Sequence, residues 1–193
     1  MPKKKFRYGF KAEANRYASD FREELDVLPH DPLCPWTLAE HLAVPILRLS
    51  ELPDCAAKTH LTLGQGRAEF SATVCYQGTR AFILNNDVHP IKRQASNIAH
   101  ELAHVILGHP PTPPFDEDGN REFLRAVEDE AEWFGPTLLV SDKAAMHAYG
   151  LIQSRAHTLI SLSDEWRVTE DVLNMRMNVV GARKRFGRAT EGR

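Results

Sequence analysis

From Ile91 to Gly108 the chain runs through helix-forming residues without a break, and Gly108, His109 and the prolines at 110, 111, 113 and 114 then stop it. Inside this segment stands His100-Glu101-Leu102-Ala103-His104, two histidines four apart with a glutamate after the first. Taking His100 as origin and about 100° per residue, His104 falls at about 40°, Asn97 at about 60° and Glu101 at about 100°, with about 6 Å of rise between the histidines. Both imidazoles therefore reach one point in space. Nine histidines in 193 residues give such a spacing by chance in on the order of a few per cent of chains. The rest of the helix weighs against chance, because Ile98, Ala99, Leu102, Ala103, Val105, Ile106 and Leu107 make its other sides apolar. A helix apolar on those sides is buried, and burying two histidines and a glutamate together is costly unless they are paired or hold a metal. Zinc suits two neutral imidazoles plus an oxygen ligand, with a fourth position kept for water. Glu101 is then placed as the general base on that water.

A third protein ligand has to come from elsewhere. The pattern HExxHxxGxxH is excluded, since Leu107 and Pro110 occupy the positions of its glycine and last histidine. His109 lies on the opposite side of the helix unless the chain folds back, and reads as a C-terminal residue favoured by the helix dipole. The acidic segment that follows offers Glu122, Glu128, Glu130 and Glu132. On its wheel Leu124, Ala131, Phe134, Gly135 and Leu138 form an apolar stripe, and Glu128 lies closest to it, with Glu130 and Glu132 as rival ligands and Glu122 pointing away. Ala131 and Gly135 are small enough to let this helix approach the first closely. Pro136 is expected to end or kink it near Gly135.

The remaining segments describe what surrounds these two helices. Ala14, Tyr17, Ala18, Phe21, Leu25 and Leu28 make an apolar stripe on a helix from about Lys11 to Leu28. Pro35 can open a second helix, Trp36 to Leu42, and a short extended piece runs from Val44 to Leu47. Glu69 to Tyr76 and Arg80 to Leu84 are β-prone runs around Gln77-Gly78-Thr79, a hairpin signal. Ser141 to Tyr149 and Ala156 to Arg185 predict short helices, with Thr169 an N-cap. The class is α+β with helices dominant and a small sheet, hairpin near 69–84, beside the metal helix. One domain spans 1–193, with a core of about 11–184 and short basic termini at 1–10 and 185–193.

Charge and cysteine content narrow the function classes. A net charge of -2 gives no global attraction to nucleic acid or to an anionic membrane. Cys34, Cys55 and Cys75 are odd in number and never in a CxxC pair, so neither a disulfide framework nor a zinc ribbon is expected, and the three read as buried or incidental thiols. The basic start lacks an apolar stretch behind it, and no apolar run approaches the roughly 18–20 residues of a membrane span. A cytoplasmic protein without membrane partners is the expectation.

The helix with HExxH ending in Leu107-Gly108-His109, the following Glu128, Glu130, Ala131 and Phe134, and then Leu138-Leu139 resemble the ImmA/IrrE family of zinc metallopeptidases. Ile83-Leu84-Asn85, Pro35 to Leu42, and Met175-Arg176 to Gly181-Ala182 extend the likeness from about Lys11 to Lys184. The resemblance implies a zincin-like domain with one zinc ion per chain, His100, His104 and Glu128 as ligands, Glu101 as catalytic base, and a protein substrate, a helix-turn-helix transcriptional repressor that is cut or inactivated. The chain departs from the family pattern in having Glu132 after Ala131, and Gly135-Pro136 after Phe134. Glu132, four residues after Glu128, either orients a ligating histidine or is a solvent-exposed member of the acidic run.

Zinc-dependent peptide hydrolysis is the leading expectation. It also needs a donor for the developing oxyanion, and Tyr149, His147 and Arg176 have suitable chemistry. The strand Arg80 to Leu84, if at a sheet edge, would bind an extended peptide. The alternative is a non-catalytic regulator that binds a repressor partner or DNA through the helices of Ala156 to Gly181 and a basic tail, with Arg183, Lys184, Arg185, Arg188 and Arg193 against Glu191. A purely structural zinc site fits less well, since it has no use for Glu101.

Overall fold

In a computed structural model, residues 6–53, 59, 70–110 and 122–191 are described. Cys55 and the first residues of the expected hairpin, 69 included, lie outside them, as do the side chains of Glu122, Leu124, Arg188 and Arg193. The described elements are α1 (Phe10–Glu24), α2 (Pro35–His41), β1 (Ile46–Arg48), a 3-10 turn (Leu49–Glu51), β2 (Ala72–Gln77), β3 (Arg80–Asn85), α3 (Ile91–Leu107), α4 (Glu122–Leu139), α5 (Asp142–Gln153), α6 (Leu159–Glu165), α7 (Glu170–Val179) and α8 (Ala182–Glu191). Helices dominate and the sheet is small, as the residue pattern implies. None of the described helices is long and apolar enough to cross a membrane.

The sheet has the order β1-β3-β2. β2 and β3 form the expected antiparallel hairpin, with Val74 opposite Ile83. β1 adds to the other side of β3 in parallel, with Ile46 opposite Ile83. The Arg80 to Leu84 strand is therefore central, and the expectation of a free edge there is corrected: among the described residues the hairpin's outer edge is β2. The parallel β1 was hidden because its three residues follow Ala43, whose positive φ of 53° reverses the chain after α2.

Two apolar clusters share α3. Ile98, Leu102 and Ala103 of α3 pack with Phe10, Phe21, Leu38, Ile83, Phe134 and Leu138. Ala99 turns the other way, to Leu139, Ala144, Ala148, Leu162 and Leu173. Each fully buried Leu, Ile or Phe contributes about 1.5–3 kcal/mol of burial free energy, so α3 is held by both halves of the molecule. Trp133 and Trp166 are buried packing residues.

α4 does not end at Pro136 but continues to Leu139. The carbonyl that the proline ring crowds belongs to Glu132, on the exposed side of the helix. Beyond the proline the end of the helix is held by a buried cation: Arg22 of α1 donates to the carbonyls of Leu138 and Leu139, both at 3.0 Å, and to Ala18 O at 2.8 Å. These bonds satisfy carbonyls that a helix end leaves without partners. Thr169 and Thr158 cap α7 and α6 through their hydroxyls.

Candidate metal centre

α3 is buried on its apolar sides and presents His100, Glu101 and His104 on the remaining one, across from the middle of α4. The close approach is made by Gly135. A Cβ there would stand 3.0 Å from the His100 backbone nitrogen and 3.1 Å from its Cα. With the helices this near, Glu128, two turns before Gly135, reaches the histidines. His100 Nε2 lies 3.2 Å from His104 Nε2 and 3.2 Å from Glu128 Oε2. His104 Nε2 lies 3.6 Å from Glu128 Oε1.

This triangle can be compared with what zinc requires. Bonds of about 2.0–2.1 Å at tetrahedral angles separate ligand atoms by about 3.3–3.4 Å. The nitrogen–nitrogen separation of 3.2 Å, and the contacts of the two Glu128 oxygens, Oε2 at 3.2 Å from His100 and Oε1 at 3.6 Å from His104, lie close to that value. Two imidazoles and a carboxylate are also the donor set of known zinc hydrolase centres. His100, His104 and Glu128 thus form a group able to hold a metal ion.

The charges around the group follow from the same contacts. Hydrogen bonds from His100, then His104, hold the Glu128 carboxyl far below the usual carboxylate range. Burial works to lower the His100 pKa, but Glu128, Glu101 and Glu132 together outweigh it and the net direction is up. Glu101 is pushed up by burial, against the pull of His100, His104 and a backbone N–H. That N–H belongs to Val74 on β2 and donates to Glu101 Oε2 at 2.8 Å. It is free to do so because Ile83, its cross-strand partner, turns its own N–H toward Pro45 on the β1 side, at 2.8 Å.

The acidic run is sorted by the helix. Glu128 joins the histidines, Glu130 is buried on another flank of α4, and Glu132 is exposed, close enough to His100 to raise its pKa. His109 departs most from expectation. Gly108 takes a φ of +64°, a left-handed conformation that glycine adopts without a Cβ clash, and the chain folds back over the end of α3. The His109 N–H donates to His104 O at 3.0 Å, and its ring Nδ1 comes within 3.0 Å of His104 Nδ1. Its Nε2 lies 3.5 Å from Glu130 Oε2, which Arg7 Nε also meets, at 3.3 Å. Burial, then the neighbouring His104, hold the His109 pKa below its ordinary value. Val74, His109, Glu130 and Arg7 are the residues around the site that sequence reasoning missed or misread. Only Gly108 signals one of them, because a glycine at the end of a helix permits the return.

The residues named for oxyanion stabilisation are placed otherwise. Arg176 is wholly buried, donates to Val140 O at 2.8 Å and Asp142 Oδ1 at 2.6 Å, and stacks over Trp133. It is a packing and helix-end residue, not a donor facing His100, His104 and Glu128. Tyr149 packs edge-on against Phe186 of α8, and His147 is exposed beside His30. Asn97 shares the polar stripe of α3, and its Nδ2 is buried with no hydrogen-bond partner among the described residues.

Comparison with curated proteins and with solved structures gives no match. Residues 58–178, a stretch that carries the HExxH helix, Glu128 and the β2–β3 hairpin, match the Peptidase_M78 family, described as the IrrE N-terminal-like domain, and the chain belongs to that family of metallopeptidase type.

Proposed function

We propose that this chain is a cytoplasmic zinc-dependent endopeptidase that holds one zinc ion and cuts, and so inactivates, a helix-turn-helix transcriptional repressor. The observation that carries the reading is the convergence of His100, His104 and Glu128, with the two Nε2 atoms 3.2 Å apart and one Glu128 oxygen 3.2 Å from the first and the other 3.6 Å from the second, and with Glu101 beside them and turned toward β2. The repressor as substrate rests on the family resemblance alone.

When bound, zinc polarises the scissile carbonyl and lowers the pKa of a water molecule to about 7. Glu101 takes the proton of that water as it attacks, and passes it to the leaving amine nitrogen. The Val74 N–H orients the Glu101 carboxylate and favours its ionised form, while burial works against ionisation. Backbone groups alternate along a strand, so those of Ala72 and Tyr76 face the same side as Val74, where no further strand lies among the described residues. An extended substrate segment adds there as a further strand and passes Glu101.

The reading as a DNA-binding regulator draws on Arg183, Lys184 and Arg185, which are exposed on α8. It meets a difficulty in α6 and α7: the helix that would enter the groove opens with Glu170 and Asp171, both exposed, where a phosphate would have to approach. Elemental mass spectrometry of wild type, Glu101→Gln and Glu128→Ala tests the centre, with near one zinc per chain expected in the first two and a large loss in the third. Zinc-loaded wild type should cleave a repressor that Glu101→Gln leaves intact. A wild type that takes up no zinc, or that leaves every repressor and peptide uncut, overturns the proposal.

A further inference from the structure

His104 is bounded at both ring nitrogens. Its Nε2 belongs to the triangle with His100 and Glu128, and its Nδ1 meets His109 Nδ1 at 3.0 Å. Two imidazole nitrogens at that distance share one hydrogen, so one ring donates and the other accepts. If Nε2 of His104 gives its lone pair to a metal, the ring's hydrogen sits on Nδ1, and Nδ1 of His109 must be the acceptor. The hydrogen of a neutral His109 is then on Nε2, the atom that faces Glu130 Oε2 at 3.5 Å. Glu130 is the acceptor that this hydrogen faces, and it is held in turn by Arg7, whose Nε lies 3.3 Å away and whose guanidinium also pairs with Glu13 at 2.5 Å. Each contact is satisfied by one and the same set of tautomers.

Burial points the same way. The side chains of His109 and Glu130 are 9% and 11% exposed, so they are kept from the water that would otherwise satisfy them. A histidine placed only to favour a helix end would face solvent, and a glutamate placed only for solubility would not turn inward.

We propose that His109 is a positioning residue for the metal centre: it accepts the Nδ1 hydrogen of His104, passes the contact on to Glu130 and Arg7, and thereby fixes the tautomer and ring orientation in which His104 Nε2 serves as a ligand. The inference rests on the metal-centre reading above. A histidine ligand ordinarily donates its second N–H to a carboxylate or carbonyl, and removing such a partner costs about 10- to 100-fold in metal affinity. Here the carboxylate acts through a second imidazole.

The test is zinc affinity, measured by competition with a chromophoric chelator on the full chain, for wild type, His109→Leu, His109→Gln and Glu130→Ala. The expected order is wild type, then His109→Gln, whose amide oxygen can still accept from His104, then His109→Leu, weaker than wild type by about 10- to 100-fold. Glu130→Ala leaves both imidazoles in place and should lose about tenfold or less. It also keeps the question answerable if His109→Leu does not fold. Nuclear magnetic resonance of the zinc-loaded protein gives a readout that packing alone does not move: a slowly exchanging Nδ1–H of His104 in wild type and His109→Gln, absent in His109→Leu. If wild type binds zinc and the His109 and Glu130 variants bind it equally, or if the Nδ1–H of His104 is unchanged in His109→Leu, His109 has no positioning role while the metal centre stands. If wild type itself binds no zinc, both readings fall together.

Discussion

Replacing Gly135 by alanine separates two effects that usually move together, stability of the helix and geometry of the site. The gain is local: alanine in a helix interior is better than glycine by about 0.8–1.0 kcal/mol. The cost is a contact. The new Cβ would meet His100 N, His100 Cα and Ala99 C at 3.0, 3.1 and 3.2 Å, all of them backbone atoms of α3. Ordinary carbon contacts lie at about 3.5–4.0 Å, so α3 and α4 must part by about half an ångström, and no side chain can rotate away to spare them. Overpacking of this kind costs about 1–3 kcal/mol, which leaves the metal-free variant about 0–2 kcal/mol less stable than wild type. The centre should suffer more. Glu128 stands two turns along the same helix, about 10 Å away by rise, and moves with it. Metal sites tolerate errors of about 0.2 Å in ligand distance, less than the displacement. A tenfold loss of zinc affinity lowers zinc-induced stabilisation by about 1.4 kcal/mol, or about 3–6 °C of the rise in Tm for a chain of this length. Thermal unfolding with and without zinc reads both numbers. If the metal-free variant is more stable by the whole helical gain and the zinc-induced rise in Tm is undiminished, the helices are not in contact at Gly135 and the account of how Glu128 is positioned fails.

Three further outcomes test other contacts. Val74→Pro deletes the N–H that reaches Glu101 on the side of β2 away from the ladder, where an edge strand tolerates proline, so zinc content should hold while kcat/KM falls about tenfold or more. Because that N–H lowers a Glu101 pKa already raised by burial, its loss raises the pKa further, and the acid limb of the kcat/KM profile should move to higher pH; an unmoved limb refutes the contact. Zinc affinity should weaken as pH falls, beginning above the ordinary histidine value of 6.5, since protons and metal compete for His100 Nε2 and the net His100 pKa is raised; a chelator competition series that stays flat until well below 6.5 contradicts this. Arg176→Lys should lower stability by about 2–4 kcal/mol, since lysine cannot serve both Val140 O and Asp142 in the same geometry, yet leave kcat and zinc affinity of the folded protein unchanged; a fall in kcat alone would return Arg176 to oxyanion stabilisation.

What the sequence disclosed and what it hid divide along the range of the interactions. His100, Glu101 and His104 lie within one turn of one helix, so angle and rise alone bring them together. Glu128 comes from another helix, and its place beside an apolar stripe says which face of α4 turns inward but not how deep it sits. Depth is set by Gly135, a small residue legible as such, whose contact with the His100 backbone is a tertiary fact. The persistence of α4 past Pro136 depends on Arg22, 116 residues away in the chain from Leu138, and local propensity contains nothing of it. β1 and the central place of β3 were hidden for the same reason, because three residues after a turn do not reveal which strand they will join.

His109 shows how a correct angle can give the wrong conclusion. Counted round α3 it lies away from His100, and so long as the helix continues it cannot meet the centre. The helix stops at Leu107, Gly108 turns left-handed, and the ring arrives from behind, at the one nitrogen of His104 that faces away from Glu128. α4 is amphipathic in an unusual sense: Glu128 and Glu130 point about 200° apart, and both end at the same histidine, the first at Nε2 and the second through His109 at Nδ1. A single helix thereby brackets one imidazole from both of its ring nitrogens. This explains why Glu130 is buried although it stands apart from the candidate group of His100, His104 and Glu128, and why a shift of α4 against α3 would disturb His104 at both ends at once.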